Sequence, residues 1–213
     1  MAVDQHTVIE YAPGELESEW KLYHTPSSPP PLRSSSAAVR PVVALDCEMG
    51  VSVYGEPELV RLSLVDYFSG EILIDSLVYP RVRLLHLNTR YSGVSRGMLE
   101  RARQRSQCIR GGREGARERV WRYVGTETIV VVHGGQSDLL ALRWIHGRVI
   151  DTFVVEGERR AQADNTEAAG GRSLKQLAAR RLGVQIQRSG RGHDSVEDAM
   201  ASRGLAAWYV GRP

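Results

Sequence analysis

At 213 residues the chain has room for one domain of ordinary size plus a lead-in segment. An apolar fraction of 42% is enough for a core, and a formal net charge of +3 admits a polyanionic partner without requiring one. With two cysteines, no apolar run near ~18 residues and no signal-peptide pattern, the chain excludes a disulfide scaffold and a membrane partner, and an intracellular protein is expected. Almost all the positive charge is arginine, with Lys21 and Lys175 the only lysines, a bias that suits bidentate phosphate contacts.

Residues 1–40 read as an N-terminal arm or linker and 41–213 as the folded domain. Pro29, Pro30 and Pro31, flanked by Ser27, Ser28, Ser34, Ser35 and Ser36, have linker composition. Tyr11, Trp20, Leu22 and Tyr23 are candidates to pack as an arm on the domain surface, with a mostly disordered lead-in as the equal alternative, and the arm is also open to a protein partner. Pro41–Glu48 predicts a first strand, Glu58–Tyr67 a second and Glu71–Val78 a third, joined by short turns as an antiparallel meander. Arg81–Arg113 reads as irregular: a nucleic-acid-facing arginine surface, or a solvated linker with an insert around Gly111 and Gly112. Glu114–Tyr123 predicts a helix, Thr128–His133 a buried parallel strand, Ser137–Trp144 a helix and Val149–Val155 a strand. Gly170 and Gly171 form a turn, Ser173 caps a helix over Leu174–Leu182 that Gly183 ends, and Asp194–Tyr209 is the last helix. That order predicts an α/β fold: a mixed central sheet, antiparallel meander plus parallel strands, flanked by helices on both faces.

The chemistry gathers at the end of the first strand. In VVALDCEMG, from Val42, Asp46 and Glu48 are two residues apart and share one face, while Cys47 points to the other, towards the core. Two acids so placed repel each other and lose hydration, which a cation would relieve. Asp138 begins the helix after the parallel strand, and His193 and Asp198 flank the start of the last helix. Taken singly, Asp138 is also an ordinary first-turn acid and His193 a helix-capping or surface histidine. Together, four carboxylates and one histidine fit a two-metal phosphoryl-transfer site, with a donor set that suits Mg²⁺ or Mn²⁺ better than Zn²⁺.

ALDCEM from Ala44, HGGQSDLLAL from His133 and HDSVEDA from His193 resemble, in order, the three motifs of the DEDDh 3′–5′ exonuclease superfamily, and within it the eukaryotic RNA exonucleases. LVDYFSGEILIDSLVYP from Leu64, YSGVS from Tyr91, DTFVV from Asp151 and SLKQLAARRLGV from Ser173 are similar to segments of the same enzymes, so the resemblance covers about Val42–Tyr209. It implies an RNase H-like fold. It also implies metal-ligand places for Asp46, Glu48, Asp138 and Asp198, the general-base place for His193, and contacts of Met49 and Gly50 with the terminal nucleotide. Two Mg²⁺ or Mn²⁺ ions, single-stranded RNA with a free 3′ end (DNA as the alternative), nucleoside 5′-monophosphate products and a nuclear or cytoplasmic location follow from the same resemblance. A catalytically silent nucleic-acid-binding module and a scaffold domain are the readings from other classes. The chain departs from the family pattern in three places: Val132 stands where glycine is usual, Gly135 where a hydrophobic residue is usual, and CEMG lacks the common valine before its glycine.

Overall fold

The computed structural model describes residues 21–27, 38–162, 171–188 and 192–211. The expected proline- and serine-rich linker, Tyr11, Trp20 and Gly170 lie outside the described residues. The central sheet is built on β2 (Val42–Ser52), with β3 (Pro57–Asp66) and β4 (Ile72–Val78) following it as the expected antiparallel meander. On the other edge of β2 lies β7 (Ile129–Val132), parallel to it, and β9 (Val149–Asp151) lies parallel beyond β7. With β6 (Cys108–Ile109) parallel to β4, the strand order is β6-β4-β3-β2-β7-β9, and β5 (Leu84–His86) pairs with the far end of β2.

The alternation of β2 divides the molecule into two layers. Val43, Leu45 and Cys47 enter a core with Ala116 and Val120 of α3 (Gly112–Val120) and Ala141 of α4 (Gln136–Ala141). Ala44 faces the opposite way, towards Val131 and Ala206 of α7 (Ser195–Val210). Each fully buried leucine or valine of these layers contributes roughly 1.5–3 kcal/mol relative to exposure. Along α7 the buried side chains Ser195, Ala199, Ser202 and Ala206 are all small and recur three or four residues apart. This stripe lets the helix lie close on β2, β3 and β7. A buried hydroxyl pair, Ser63 Oγ to Ser195 Oγ at 2.7 Å, pins its first turn to β3.

Several elements differ from the sequence expectation, each for a tertiary reason. Arg81–Arg113 is not irregular. It carries β5, α1 (Thr89–Ser92), α2 (Arg96–Gln104) and β6, held down by Val94 and Leu99 packing on Val60. Its last arginine is internal: Arg113 is 9% exposed and paired with buried Glu58. The expected insert at Gly111 and Gly112 is the start of α3. Helix α4 stops at Ala141 rather than Trp144, because Arg143 turns left-handed at φ 50° and Trp144 enters a short strand, β8 (Trp144–Ile145). Strand β8 pairs in parallel with β1 (Tyr23–His24), so residues of the expected lead-in are tied to the domain. Trp144 Nε1 donates to Thr25 Oγ1 at 2.9 Å, and the Arg117 guanidinium lies 3.9 Å over the Tyr23 ring. The strand expected to Val155 ends at Asp151, whose carboxylate accepts from the Phe153 amide and opens α5 (Thr152–Gln162). On α5, fully buried Glu156 accepts from Tyr209 Oη at 2.7 Å and from Arg160 Nε at 2.9 Å, binding α5 to α7. Burial would raise the Glu156 pKa, but the Tyr209 and Arg160 hydrogen bonds hold it below the usual range. The helix after Ser173 begins as α6 (Leu174–Leu177) and widens into a π-helical turn over Ala178–Leu182, which Gly183 ends with φ 69°. The Ser173 side chain does not cap it; its Oγ donates to Gln176 Oε1 at 3.0 Å.

The two departures beside the second motif are one event. A Cβ on Gly135 would overlap Cβ and both methyls of Val132. Val132 is fully buried and fills the space that a side chain at 135 would take. We predict that Gly135→Leu alone and Val132→Gly alone each destabilise the fold by ~2 kcal/mol or more, through overpacking and through a cavity. The double variant should recover at least ~1 kcal/mol of their sum. Chemical denaturation of the four proteins checks this; additive losses would show that the positions do not share a space.

Candidate active site

Four acids surround the end of β2, and each arrives by a different route. Asp46 and Glu48 lie on the α7 face of the strand, Glu48 buried at 7% exposure and Asp46 half-buried. Asp138 comes in the plane of the sheet. Pairing between β2 and β7 is recorded from Val42 to Ala44, and beyond it the Cys47 amide donates to Asp138 Oδ1 at 3.0 Å. Asp138 thus continues the ladder with a carboxylate, from a helix that Asp151 orients by accepting from the amides of Gly134 (2.8 Å) and Gly135 (3.0 Å). Asp198 descends from the first turn of α7, and its residue is 3% exposed.

His193 stands two residues before α7, with its side chain 41% exposed. The loop that carries it is docked on YSGVS: the His193 amide donates to the Tyr91 carbonyl at 2.6 Å, and Gly192, at φ 76°, lies so close to Gly93 that a Cβ there would meet Gly93 Cα. Asp194 caps α7 by accepting from the Val196 amide and is held by Arg61 at 3.1 Å. Arg61 is paired across the strands with Glu48 and also reaches Asp75 at 3.0 Å.

The structure brings Glu48, His193 and Asp198 together, one potential ligand atom of each lying within 4.8 Å of the other two. His193 Nδ1 is 3.7 Å from Asp198 Oδ2. Asp46 and Asp138 are outside that triad, but their charges bear on the same site. Burial, then Asp138, Asp198 and Glu48 in turn, push the Asp46 pKa well up, and Arg61 opposes them. Glu48 is raised to about 8 by burial and by Asp198, again against Arg61. Burial raises Asp138 to about 7, and Asp198 to about 6 despite its hydrogen bond from Gln187. A divalent cation fits this donor set on the structure's own terms: clustered carboxylates deprived of hydration, and Asp198 Oδ1 buried with no hydrogen-bond partner.

Met49 and Gly50 continue β2 past the acids. Met49 packs on the main core, and a Cβ on Gly50 would lie 2.9 Å from the His86 carbonyl, so the glycine admits β5. Cys47 is buried and free, as its place in the strand predicted. Two residues near the acids carried no sequence expectation. Arg61 had a signal, since the hairpin register sets it opposite Glu48. Gln187 donates from Nε2 to Asp198 Oδ2 at 2.8 Å, and nothing local in the sequence marks it.

Comparison with known proteins agrees with this geometry. No family model matches the chain. RNA exonuclease 3 of Yarrowia lipolytica is 35% identical over 164 residues, 76% of this chain and 20% of that protein. RNA exonuclease 1 homolog of Homo sapiens is 35% identical over 169 residues, 79% of this chain and 13% of that protein. The chain belongs to the RNase H-fold, DEDDh-like 3′–5′ exonuclease superfamily, in its eukaryotic RNA exonuclease branch. Solved structures share the fold. The Neurospora crassa Pan2 catalytic unit superimposes with a TM-score of 0.65 at 22% identity, covering 91% of this chain and 32% of that one. The Saccharomyces cerevisiae Pan2 module in complex with AAGGA RNA gives 0.62 at 23% identity, covering 84% and 30%. The superfamily member described here spans between 10% and 40% of the length of the sequence relatives it matches. Among its described residues no helix is long and apolar enough to cross a membrane.

The raised carboxylates set a pH dependence for the metal-free chain. With Glu48 at about 8, Asp138 at about 7 and Asp198 at about 6, the folded chain binds these protons more tightly than an unfolded chain with carboxylates near ~4. Between about pH 4 and 8 the folded state therefore holds more protons, and stability falls as pH rises. In the presence of chelator the urea midpoint should drop between about pH 5.5 and 8, and saturating Mn²⁺ should flatten that slope. Asp198→Asn should make the chelator slope shallower. A midpoint that climbs with pH in chelator would contradict the raised pKa values.

Proposed function

We propose that the chain is a divalent-metal-dependent 3′–5′ exoribonuclease that releases nucleoside 5′-monophosphates from a free 3′ end. Residues 41–213 would form the catalytic domain, with 1–40 leading into it. The chief support is the convergence of four carboxylates on one strand end, one of them within 3.7 Å of a half-exposed histidine. The names of its relatives, RNA exonucleases 1 and 3, favour RNA over DNA as the polymer.

In this mechanism Asp46, Glu48 and Asp198 would hold one ion, and Asp138 would support a second beside Asp46. Mg²⁺ or Mn²⁺ bound there would supply Lewis acidity to the scissile phosphate and to the attacking water. His193 accepts that water's proton from the solvent side of the site, as its exposure allows. Its Nδ1 lies 3.7 Å from Asp198 Oδ2, on the edge of the acid cluster. Asp138 is held by the Cys47 amide, outside the group formed by Glu48, His193 and Asp198. Met49 and Gly50, next along β2, would border the terminal sugar and base, and Arg61 offsets part of the site's negative charge.

A 3′-end degradation assay on single-stranded RNA tests this directly. Mg²⁺ or Mn²⁺ should support mononucleotide release and EDTA should stop it. Asp46→Asn and Asp198→Asn should each lower turnover by at least about 10²-fold while leaving the chain folded. His193→Ala should lower kcat by about 10²–10⁴-fold with RNA affinity little changed. A folded wild-type chain that binds RNA yet releases nothing with either metal would leave a binding module in place of the enzyme; faster release from a matched DNA strand would reassign the polymer.

A further inference from the structure

We infer that Gln187 is a positioning residue for the Asp198 carboxylate, holding one of its oxygens so that the other stays available to a divalent cation. The inference rests on the metal-dependent reading above. Gln187 Nε2 donates to Asp198 Oδ2 at 2.8 Å, whereas Asp198 Oδ1 is buried and receives no hydrogen bond. One side of the carboxylate is therefore committed and the other is not. A neutral amide suits this task. It fixes the group and favours its ionised form, yet brings no positive charge to compete with a metal.

The backbone around Gln187 is built to aim that amide. Its φ is 51°, in the left-handed region where glycine and asparagine are at home and glutamine is not. Three restraints hold it there. Its N–H donates to Glu197 Oε2 at 2.8 Å, its carbonyl accepts from Lys175 Nζ at 2.8 Å, and the preceding Ile186 is 1% exposed in a cluster with Leu174, Leu177 and Leu205. An unfavourable conformation maintained by this many contacts, at a residue whose side chain ends on a buried acid, is the pattern of a local constraint kept for the site. Glu197, one residue before Asp198, thereby acts on the site through a backbone amide rather than as a ligand.

Two variants of the full chain separate positioning from folding. Gln187→Asn suits the left-handed backbone and keeps the backbone hydrogen bonds, but its amide falls one methylene short of Asp198. Gln187→Met keeps the side-chain length and removes the donor. Mn²⁺ binding would be read by electron paramagnetic resonance of the free ion, beside metal-free urea unfolding and RNA cleavage at limiting and saturating Mn²⁺. Both variants should bind Mn²⁺ about 10–100-fold more weakly than wild type. The metal-free midpoint of the Asn variant should stay at or above the wild-type value, and saturating Mn²⁺ should restore most of the cleavage. Wild-type Mn²⁺ affinity in both variants, or affinity lost only in step with metal-free stability, would overturn the role. A wild-type chain that binds Mn²⁺ through Gln187-dependent contacts but cleaves no RNA would support the positioning role and remove the exonuclease reading, so the two fail separately.

Discussion

Mutual repulsion among Asp46, Glu48, Asp138 and Asp198 is the constraint around which the rest of the structure is arranged. Burial strips these groups of hydration and raises every one of them, and Asp138, Asp198 and Glu48 each raise Asp46 further. Near them Arg61 opposes the shifts of Asp46 and Glu48, and it is shared with Asp75 and Asp194. A fold that holds four such acids together in neutral water works against its own stability there. It does so by taking each acid from a rigid support: a central strand, a helix clamped by Asp151, and a helix laid flat on the sheet.

The close approach of α7 is what makes the arrangement possible. A helix with leucines at positions 195, 199, 202 and 206 would stand farther from the sheet, and the short Asp198 side chain would not reach the strand end. Serine and alanine at these positions bring it down, and the Ser63–Ser195 hydroxyl pair sets its height beside Asp46, the cross-strand neighbour of Ser63. The histidine loop is fixed separately, by two facing glycines and one backbone hydrogen bond to Tyr91. His193 is thus restrained in place but left half-exposed, which suits a group that exchanges protons with solvent.

Packing elsewhere follows the same logic of compensation. Val132 fills the space beside Gly135 that a side chain there would take, so the helix carrying Asp138 seats closely on β7. The buried Glu156 with Tyr209 and Arg160 ties α5 to α7 at a distance from the acids. Residues 21–27 add a short strand on β8 behind the main core, through Tyr23 on Arg117 and Thr25 on Trp144.

By itself the sequence determined the meander, the buried parallel strand, the last helix, and the identity of the acids. Those features are local: strand alternation puts Asp46 and Glu48 on one face and Cys47 on the other, and a β-branched run such as IVVV has few other uses. The resemblance joined the separate motifs into one candidate site, but the sequence carried no sign of how they meet. Only the tertiary structure decided that Asp138 takes the Cys47 amide, that Glu48, His193 and Asp198 form the tightest group, and that Gln187 holds Asp198. It also decided the elements that local pattern misread. Arg81–Arg113 folds because Val94 and Leu99 find Val60, and Thr152–Gln162 is helical because Asp151 caps it and Glu156 meets its partners. Trp144 leaves its helix for a strand more than a hundred residues away in sequence. In each case a long-range contact outweighs the weak local preference, and such contacts have no period or spacing by which a sequence could announce them.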